Sequence, residues 1–199
     1  ELMALADTLQ TIFNEQWWDS ASNSFFSGIK IDGSFTQVNN ELLKFYPLYH
    51  EIITDNVKTA LVLKSIKKAS NVEENSYLPE ILYRYNQNDK AFKFLQMQLD
   101  TSLERRNYPE VSFTAISAIT SGLMGIRAVA SQNLVETMPR LTKEVNWAEM
   151  KNIPVLKNKV SVHHQGIKET RFTNESGNEI LWQASFPVLS NIESPDLSS

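Results

Sequence analysis

The chain has 199 residues, 42% of them hydrophobic and 10% aromatic, with a formal net charge of -4; this is ordinary globular composition, enough for one large domain or two small ones. There is no cysteine, which excludes disulfides, thiol catalysis and cysteine-ligated zinc. Residues 1–130 carry 12 basic and 15 acidic side chains and residues 131–199 carry 7 and 8, so neither part offers the basic surface that nucleic acid requires.

The first residue is Glu1, and Leu2 to Leu5 lacks the basic and apolar regions of a leader peptide. A processed or truncated start is therefore expected. Leu2, Leu5, Leu9, Ile12 and Phe13 recur at helical spacing and predict a first helix ending near Trp17-Trp18-Asp19. Phe25-Phe26-Ser27-Gly28-Ile29 and Ser34-Phe35-Thr36 flank Asp32-Gly33, a hairpin signal. A second helix is expected after Asn39-Asn40, covering Leu42 to Ile53 with a kink at Pro47. Asp55 or Thr54 caps a third, through Lys68. Ser76 opens the next, with Pro79 in its first turn. Asp89 caps another reaching Glu104, on which Phe92, Leu95, Leu99 and Leu103 line one face. Pro109 opens the last, running to about Ala130.

That last helix is apolar or small on every side, which predicts burial all round. Its stretch from Val111 to Ile126 is too short and too interrupted by serine and threonine to span a membrane. An enclosed helix beside an amphipathic one, with short connections, is the pattern of an α/α toroid built from helical hairpins, and a simple bundle gives one central helix too. After Ala130 the period changes. Residues 159–163, 170–173 and 180–186 alternate as strands, and the Asn174-Glu175-Ser176-Gly177-Asn178 cluster reads as a turn. The expected organisation is thus a mainly α region over 1–130 and a small antiparallel β domain over 131–199, frayed from Leu189 onward.

Glu110 is the first candidate carboxylate. It sits in the opening turn of the most apolar helix, where the helix N-terminus favours the ionised form and suits a base that activates water. Glu41, after Asn39-Asn40, is the second, because glycosidases work with two carboxyl groups. Trp17, Trp18, Tyr46, Tyr49 and Tyr108 are candidate stacking surfaces for sugar rings, with His50 beside them as a further substrate contact. His163 and His164 are the one histidine pair, but neighbouring strand residues point to opposite faces, so no metal site is expected. Asn174-Glu175-Ser176 also fits an N-glycosylation acceptor, though the turn reading accounts for it.

Trp17-Trp18-Asp19, followed by Phe25-Phe26-Ser27-Gly28 and Asp32-Gly33-Ser34-Phe35, resembles the helix-to-hairpin turns of six-hairpin, (α/α)6-barrel glycosidases. Tyr77-Leu78-Pro79-Glu80, Tyr108-Pro109-Glu110-Val111-Ser112 and Gly122-Leu123-Met124-Gly125-Ile126 are similar to late hairpins of that superfamily, in its α-L-rhamnosidase-like, uncharacterised branch. The region from Thr137-Met138-Pro139 to Trp182-Gln183-Ala184 resembles the small sheet domain that follows such barrels. The resemblance implies a C-terminal part of a glycoside hydrolase acting on a plant or host glycan in the periplasm or outside the cell. It implies no cofactor, and an upstream half of the same polypeptide. The alternatives are a toroid-plus-sheet polysaccharide lyase and a non-catalytic carbohydrate-binding module. In a lyase, Tyr46, Tyr49 or His50 would abstract a proton and a basic pair such as Arg105 and Arg106 would neutralise an acidic sugar.

Overall fold

The computed structural model describes residues 2–37, 41–68 and 71–187, and only the backbone of Glu41 and Leu42. The expected helix start at Asn39-Asn40 and the tail from Leu189 lie outside the described residues. The chain divides into two compact units between Ala118 and Ile119, ahead of the change of period near residue 130. The first unit is mainly helical and the second mainly antiparallel β.

In the first unit, α1 (Leu2–Gln16) leads into two small hairpins, β1 (Trp18–Asp19) with β2 (Ser24–Phe25) and β3 (Gly28–Ile29) with β4 (Phe35–Thr36). The second hairpin turns at Asp32-Gly33, as the sequence predicts. Gly33 has φ +83°, a conformation glycine adopts without steric cost, and Asp32 Oδ1 accepts from the Ser34 N–H at 2.9 Å. The helices that follow are α2 (Glu41–Tyr49), α3 (Asn56–Ser65), α4 (Val72–Ser76), α5 (Leu78–Arg84), α6 (Asn88–Leu99) and α7 (Pro109–Ser117). Asp55 caps α3 by accepting from Val57 N at 2.7 Å and Lys58 N at 3.0 Å.

Several helices are shorter than their periodicity predicts. α2 stops at Tyr49 and α6 at Leu99. Pro47 lies inside α2 without ending it. Asp89 stands in the first turn of α6, not at its cap, and Ser76 closes α4 instead of opening a helix.

The most enclosed helix is α5, where every residue from Leu78 to Tyr83 is buried. It packs against α2, α6 and α7, and Phe45, Leu48, Ala91, Leu95, Val111 and Ala115 are buried with it. Each fully buried leucine or isoleucine contributes about 2 kcal/mol. Glu80 is buried among them at 8% exposure, where an unpaired carboxylate would be costly. Arg84 meets it at 3.0 Å one turn later, donates to the Tyr49 carbonyl, and reaches Glu51 at 3.2 Å. These bonds fasten α5 to the C-terminal end of α2.

The structure corrects the expectation that the Val111–Ala130 helix is enclosed on every side. Phe113 is 69% and Ile116 63% exposed, so α7 presents an open apolar face. The helix does not reach Ala130. It continues as a π-helical segment, Ala118–Leu123, and stops. Gly125, at φ +56°, makes the stop, with Ile126 N bonded back to the Thr120 carbonyl. A Cβ at Gly125 would lie 2.1 Å from the Met138 carbonyl oxygen. α1 forms where the spacing predicts it, with Leu2, Leu5, Leu9 and Ile12 exposed. α1 is anchored instead by the buried Asn14, which donates to the Ile52 carbonyl at 2.7 Å and accepts from Thr54 N at 2.9 Å.

The second unit contains β5 (Arg127–Val129), a 3₁₀ turn over Ala130–Gln132, β6 (Leu134–Thr137), β7 (Trp147–Val155), β8 (Asn158–Gln165), β9 (Glu169–Ser176) and β10 (Leu181–Ala184). β7, β8 and β9 form an antiparallel meander, β5 pairs antiparallel with β6, and β10 runs parallel to β6. The strands expected at 159–163, 170–173 and 180–186 are present, whereas β7 is not predicted. Asn174-Glu175-Ser176 closes β9 instead of turning; the turn follows at Gly177, φ +110°. Met124, Ile126, Val135, Val155, Val160 and Val162 form the core.

His164 is buried in this unit, with Nε2 2.9 Å from the Met124 carbonyl oxygen and Nδ1 2.9 Å from Thr170 Oγ1. A carbonyl only accepts, so Nε2 carries the hydrogen and Nδ1 accepts from the hydroxyl. Burial pushes this imidazole below its ordinary value of 6.5.

Replacing Gly125 with alanine combines a clash with a left-handed backbone and is expected to destabilise by about 3 kcal/mol in urea unfolding; an unchanged midpoint contradicts the helix stop described. Arg84→Met strands the Glu80 carboxylate and is expected to cost about 3–5 kcal/mol, most of it recovered when Glu80→Leu is added. Because the folded-state pKa of His164 lies below its unfolded value, its contribution is complete above about pH 6.5 and declines as the pH falls. The drop in denaturant midpoint between pH 7 and pH 5 should therefore be smaller in His164→Gln than in the wild type, and an equal drop removes His164 from the account.

Candidate functional site

α2 carries Tyr46 and Tyr49, and His50 follows its last residue with its N–H still bonded to the Tyr46 carbonyl, so the spacing of three and four residues keeps the three on one side. The His50 ring lies 5.8 Å from Tyr46 and 5.2 Å edge-on from Tyr49. Tyr77, at the junction of α4 and α5, closes the group: its ring is edge-on to Tyr46 at 6.4 Å and to Tyr49 at 5.6 Å. Burial first, then the neighbouring Tyr46 and the charge of Glu110, raise the Tyr77 phenol above its ordinary range. Glu110 in the first turn of α7 is therefore close enough for its charge to be felt by this aromatic group. The sequence candidates Tyr46, Tyr49 and His50 thus gather with Tyr77, a residue the sequence reading placed in a motif but gave no role, and Glu110 reaches the group only through its charge.

Tyr49 is also pushed up, by burial and then by Glu80. A phenol with a raised pKa keeps its proton at neutral pH, so Tyr49 and Tyr77 serve as hydrogen-bond donors and poorly as bases. Arg84 lies over the Tyr49 ring at 5.3 Å and fixes its position. Glu80 is the carboxylate that sequence reasoning missed as a structural charge. The signal available was Pro79-Glu80 in a first turn with Arg84 four residues on. Buried and paired with Arg84, it is engaged in holding α5.

The other sequence candidates lie elsewhere. Trp17 and Trp18 are both half-buried in the hairpin cluster: Trp17 packs on Phe13 at 5.7 Å and Phe35 at 5.2 Å, and Trp18 on Phe25 at 5.0 Å. Both rings are engaged in this cluster. Tyr108 caps α7 and lies under the Arg105 guanidinium at 4.0 Å. Arg105 is itself paired with Glu73, which lowers its value as an anchor for an acidic sugar. The Glu41 side chain lies outside the described residues.

Glu110 is exposed. It is absent from the linings of the concavities beside α1, between α4 and α6, and at the edge of the β unit. The pocket expected at its helix mouth is not among these. His163 and His164 do point to opposite faces: His163 stacks on Trp147 at 6.0 Å while His164 is buried. Among the described residues no cluster of His, Asp or Glu is arranged to hold a metal ion, and no helix is long and apolar enough to cross a membrane.

No family model matches the chain, and no curated protein sequence matches it. Among solved structures, the chain is similar to a putative kojibiose phosphorylase from the human microbiome, with a TM-score of 0.55 and 12% sequence identity. The match covers 84% of this chain and 30% of that one. At this identity the likeness is one of fold, shared with part of that protein.

Proposed function

We propose that this chain supplies part of the sugar-contacting face of a carbohydrate-active enzyme that cleaves a glycosidic bond. Tyr46, Tyr49, Tyr77 and His50 form the wall against which a sugar ring rests, and Glu110 is the carboxylate presented to the bond. The observation that carries this reading is the convergence of α2, α4 and α7 on Tyr77, whose phenol feels the Glu110 charge. Phenol faces and hydroxyls together suit a sugar, which has apolar C–H faces and a polar rim. The fold shared with a putative kojibiose phosphorylase supports the same chemistry.

Glu110 stands exposed in the first turn of α7. In hydrolysis it accepts a proton from the attacking water while a second carboxyl group protonates the leaving oxygen. In phosphorolysis inorganic phosphate replaces that water and the base becomes dispensable. Neither route needs a cofactor. The chain spans 30% of the length of its solved neighbour, so the whole activity is proposed of the polypeptide that carries this chain. The open apolar faces of α1 and α7 suit coverage by further helices of that polypeptide. Residues with raised phenol pKa values, and an Arg105 engaged by Glu73, favour bond cleavage by acid and base over elimination from an acidic sugar.

The test measures release of reducing sugar from an α-linked disaccharide by the complete polypeptide, with and without inorganic phosphate. With water as nucleophile, Glu110→Gln is expected to lower kcat by about 10²–10⁴-fold and to leave KM within a few-fold. Tyr77→Phe is expected to raise KM with little change in kcat. Wild-type turnover in Glu110→Gln without phosphate removes Glu110 from the mechanism, and unchanged KM in Tyr77→Phe removes the aromatic wall.

A further inference from the structure

The β unit holds a groove of about 710 Å³ lined by Asn133, Phe172, Asn174, Glu179, Ile180, Leu181 and Trp182, within the size range of small-molecule sites. None of these residues enters the function proposed above. Trp182 pairs with Val135 in the parallel ladder of β10 and β6 and so shares the face of Val135 and Thr137. Its indole N–H donates to Thr137 Oγ1 at 2.9 Å, and Phe172 stacks on it at 5.2 Å with the planes 12° apart. The ring is therefore fixed both at its edge and by a stacked neighbour, yet it keeps 39% of its surface exposed. A buried packing tryptophan has no such open surface, and an unconstrained surface tryptophan has no such anchors.

Polar groups border the platform. Asn133 Nδ2 donates to the Glu179 carbonyl at 2.8 Å, which leaves Asn133 Oδ1 as an acceptor. The Glu179 carboxylate has no ion pair or hydrogen bond among the described residues. The lining contains one carboxylate and no lysine, arginine or histidine. That charge pattern disfavours phosphates and acidic sugars. It suits a ligand that brings hydroxyl donors and an apolar ring face. We propose that this groove is a sugar-binding site separate from the Tyr77 group, taking a neutral saccharide that stacks on Trp182 and donates hydroxyls to Glu179 and Asn133.

The test is a titration of the 199-residue chain, labelled with ¹⁵N, with maltotriose as probe, following the indole N–H resonances. The Trp182 signal is expected to shift with a Kd on the order of 1 mM, the weak end of carbohydrate affinity, while Trp147 stays in place. Glu179→Gln, an exposed change that leaves the fold intact, should weaken binding several-fold. Trp182→Ala should abolish it, and Trp182→Phe, which keeps a ring on Phe172, should retain part. Glu110→Gln should leave the titration unchanged, so failure here is distinct from failure of the proposed catalytic face. The proposal is overturned if the Trp182 signal is unmoved at tens of millimolar probe, if Glu179→Gln and Trp182→Phe bind as the wild type does, or if a glucuronate oligomer binds more tightly than maltotriose.

Discussion

The ion pair between Glu80 and Arg84 governs the helical unit. A carboxylate at 8% exposure is tolerable there only because a guanidinium answers it one turn away. That guanidinium has donors to spare, and it uses them on the Tyr49 carbonyl and on Glu51. One cation therefore neutralises the buried acid, satisfies an open carbonyl at the end of α2, and lies over the Tyr49 ring. The position of Tyr49 follows, and with it the edge-on packing of Tyr49 on Tyr77 and His50. The aromatic wall is thus held by electrostatics beneath it as well as by ring contacts. Substituting lysine would keep the charge but lose the fork that reaches three partners.

Local chemistry was legible in the sequence where it is self-contained. Asp32-Gly33 turns a hairpin because glycine accepts φ +83° and the Asp32 carboxylate reaches Ser34. Asp55 caps α3 through two adjacent backbone donors. The alternation of β8 survives because Val160 and Val162 face a core while their neighbours do not. β7 escaped because a bulge between Met150 and Ile153, with Asn152 at φ +55°, resets its alternation. Pro154, next to the strand end, argued against a strand as well. Parallel pairing of β10 with β6 has no local signature, since the partners are separated by the whole β7–β9 meander.

The error over α7 has a different origin. Uniform apolarity predicts enclosure only if the molecule supplies matter on every side. Here α5, marked by a glutamate and an arginine, is enclosed, whereas α7 leaves Phe113 and Ile116 open. Glu80 is tolerated in that enclosure because Arg84 folds back onto it one turn later. In α1 the leucines are exposed and the polar Asn14 makes the anchoring contacts, which helical spacing alone does not reveal. Of the candidate site, Tyr46, Tyr49 and His50 were found together because they lie within one helical turn at the end of α2. Glu110 joined them only through tertiary placement, and Tyr77 was overlooked because tyrosine beside a helix start has no distinctive pattern.

Two aromatic surfaces with opposite construction follow from these constraints. The Tyr77 group is built of phenols held from below by an ion pair, and Glu110 adds charge at its border. The Trp182 groove is built of a ring fixed by one hydrogen bond and one stack, with Glu179 unengaged beside it. In each case rigidity comes from buried polar groups satisfied with specific geometry, which leaves ring surface free without leaving the ring mobile. Preorganisation of this kind matters for sugars, because a flexible platform would spend much of the modest stacking energy on being ordered. Under the function proposed, the two tasks divide: a carboxylate-bordered wall acts on a bond, while a preorganised groove without a cation holds a neutral chain without competing for phosphate.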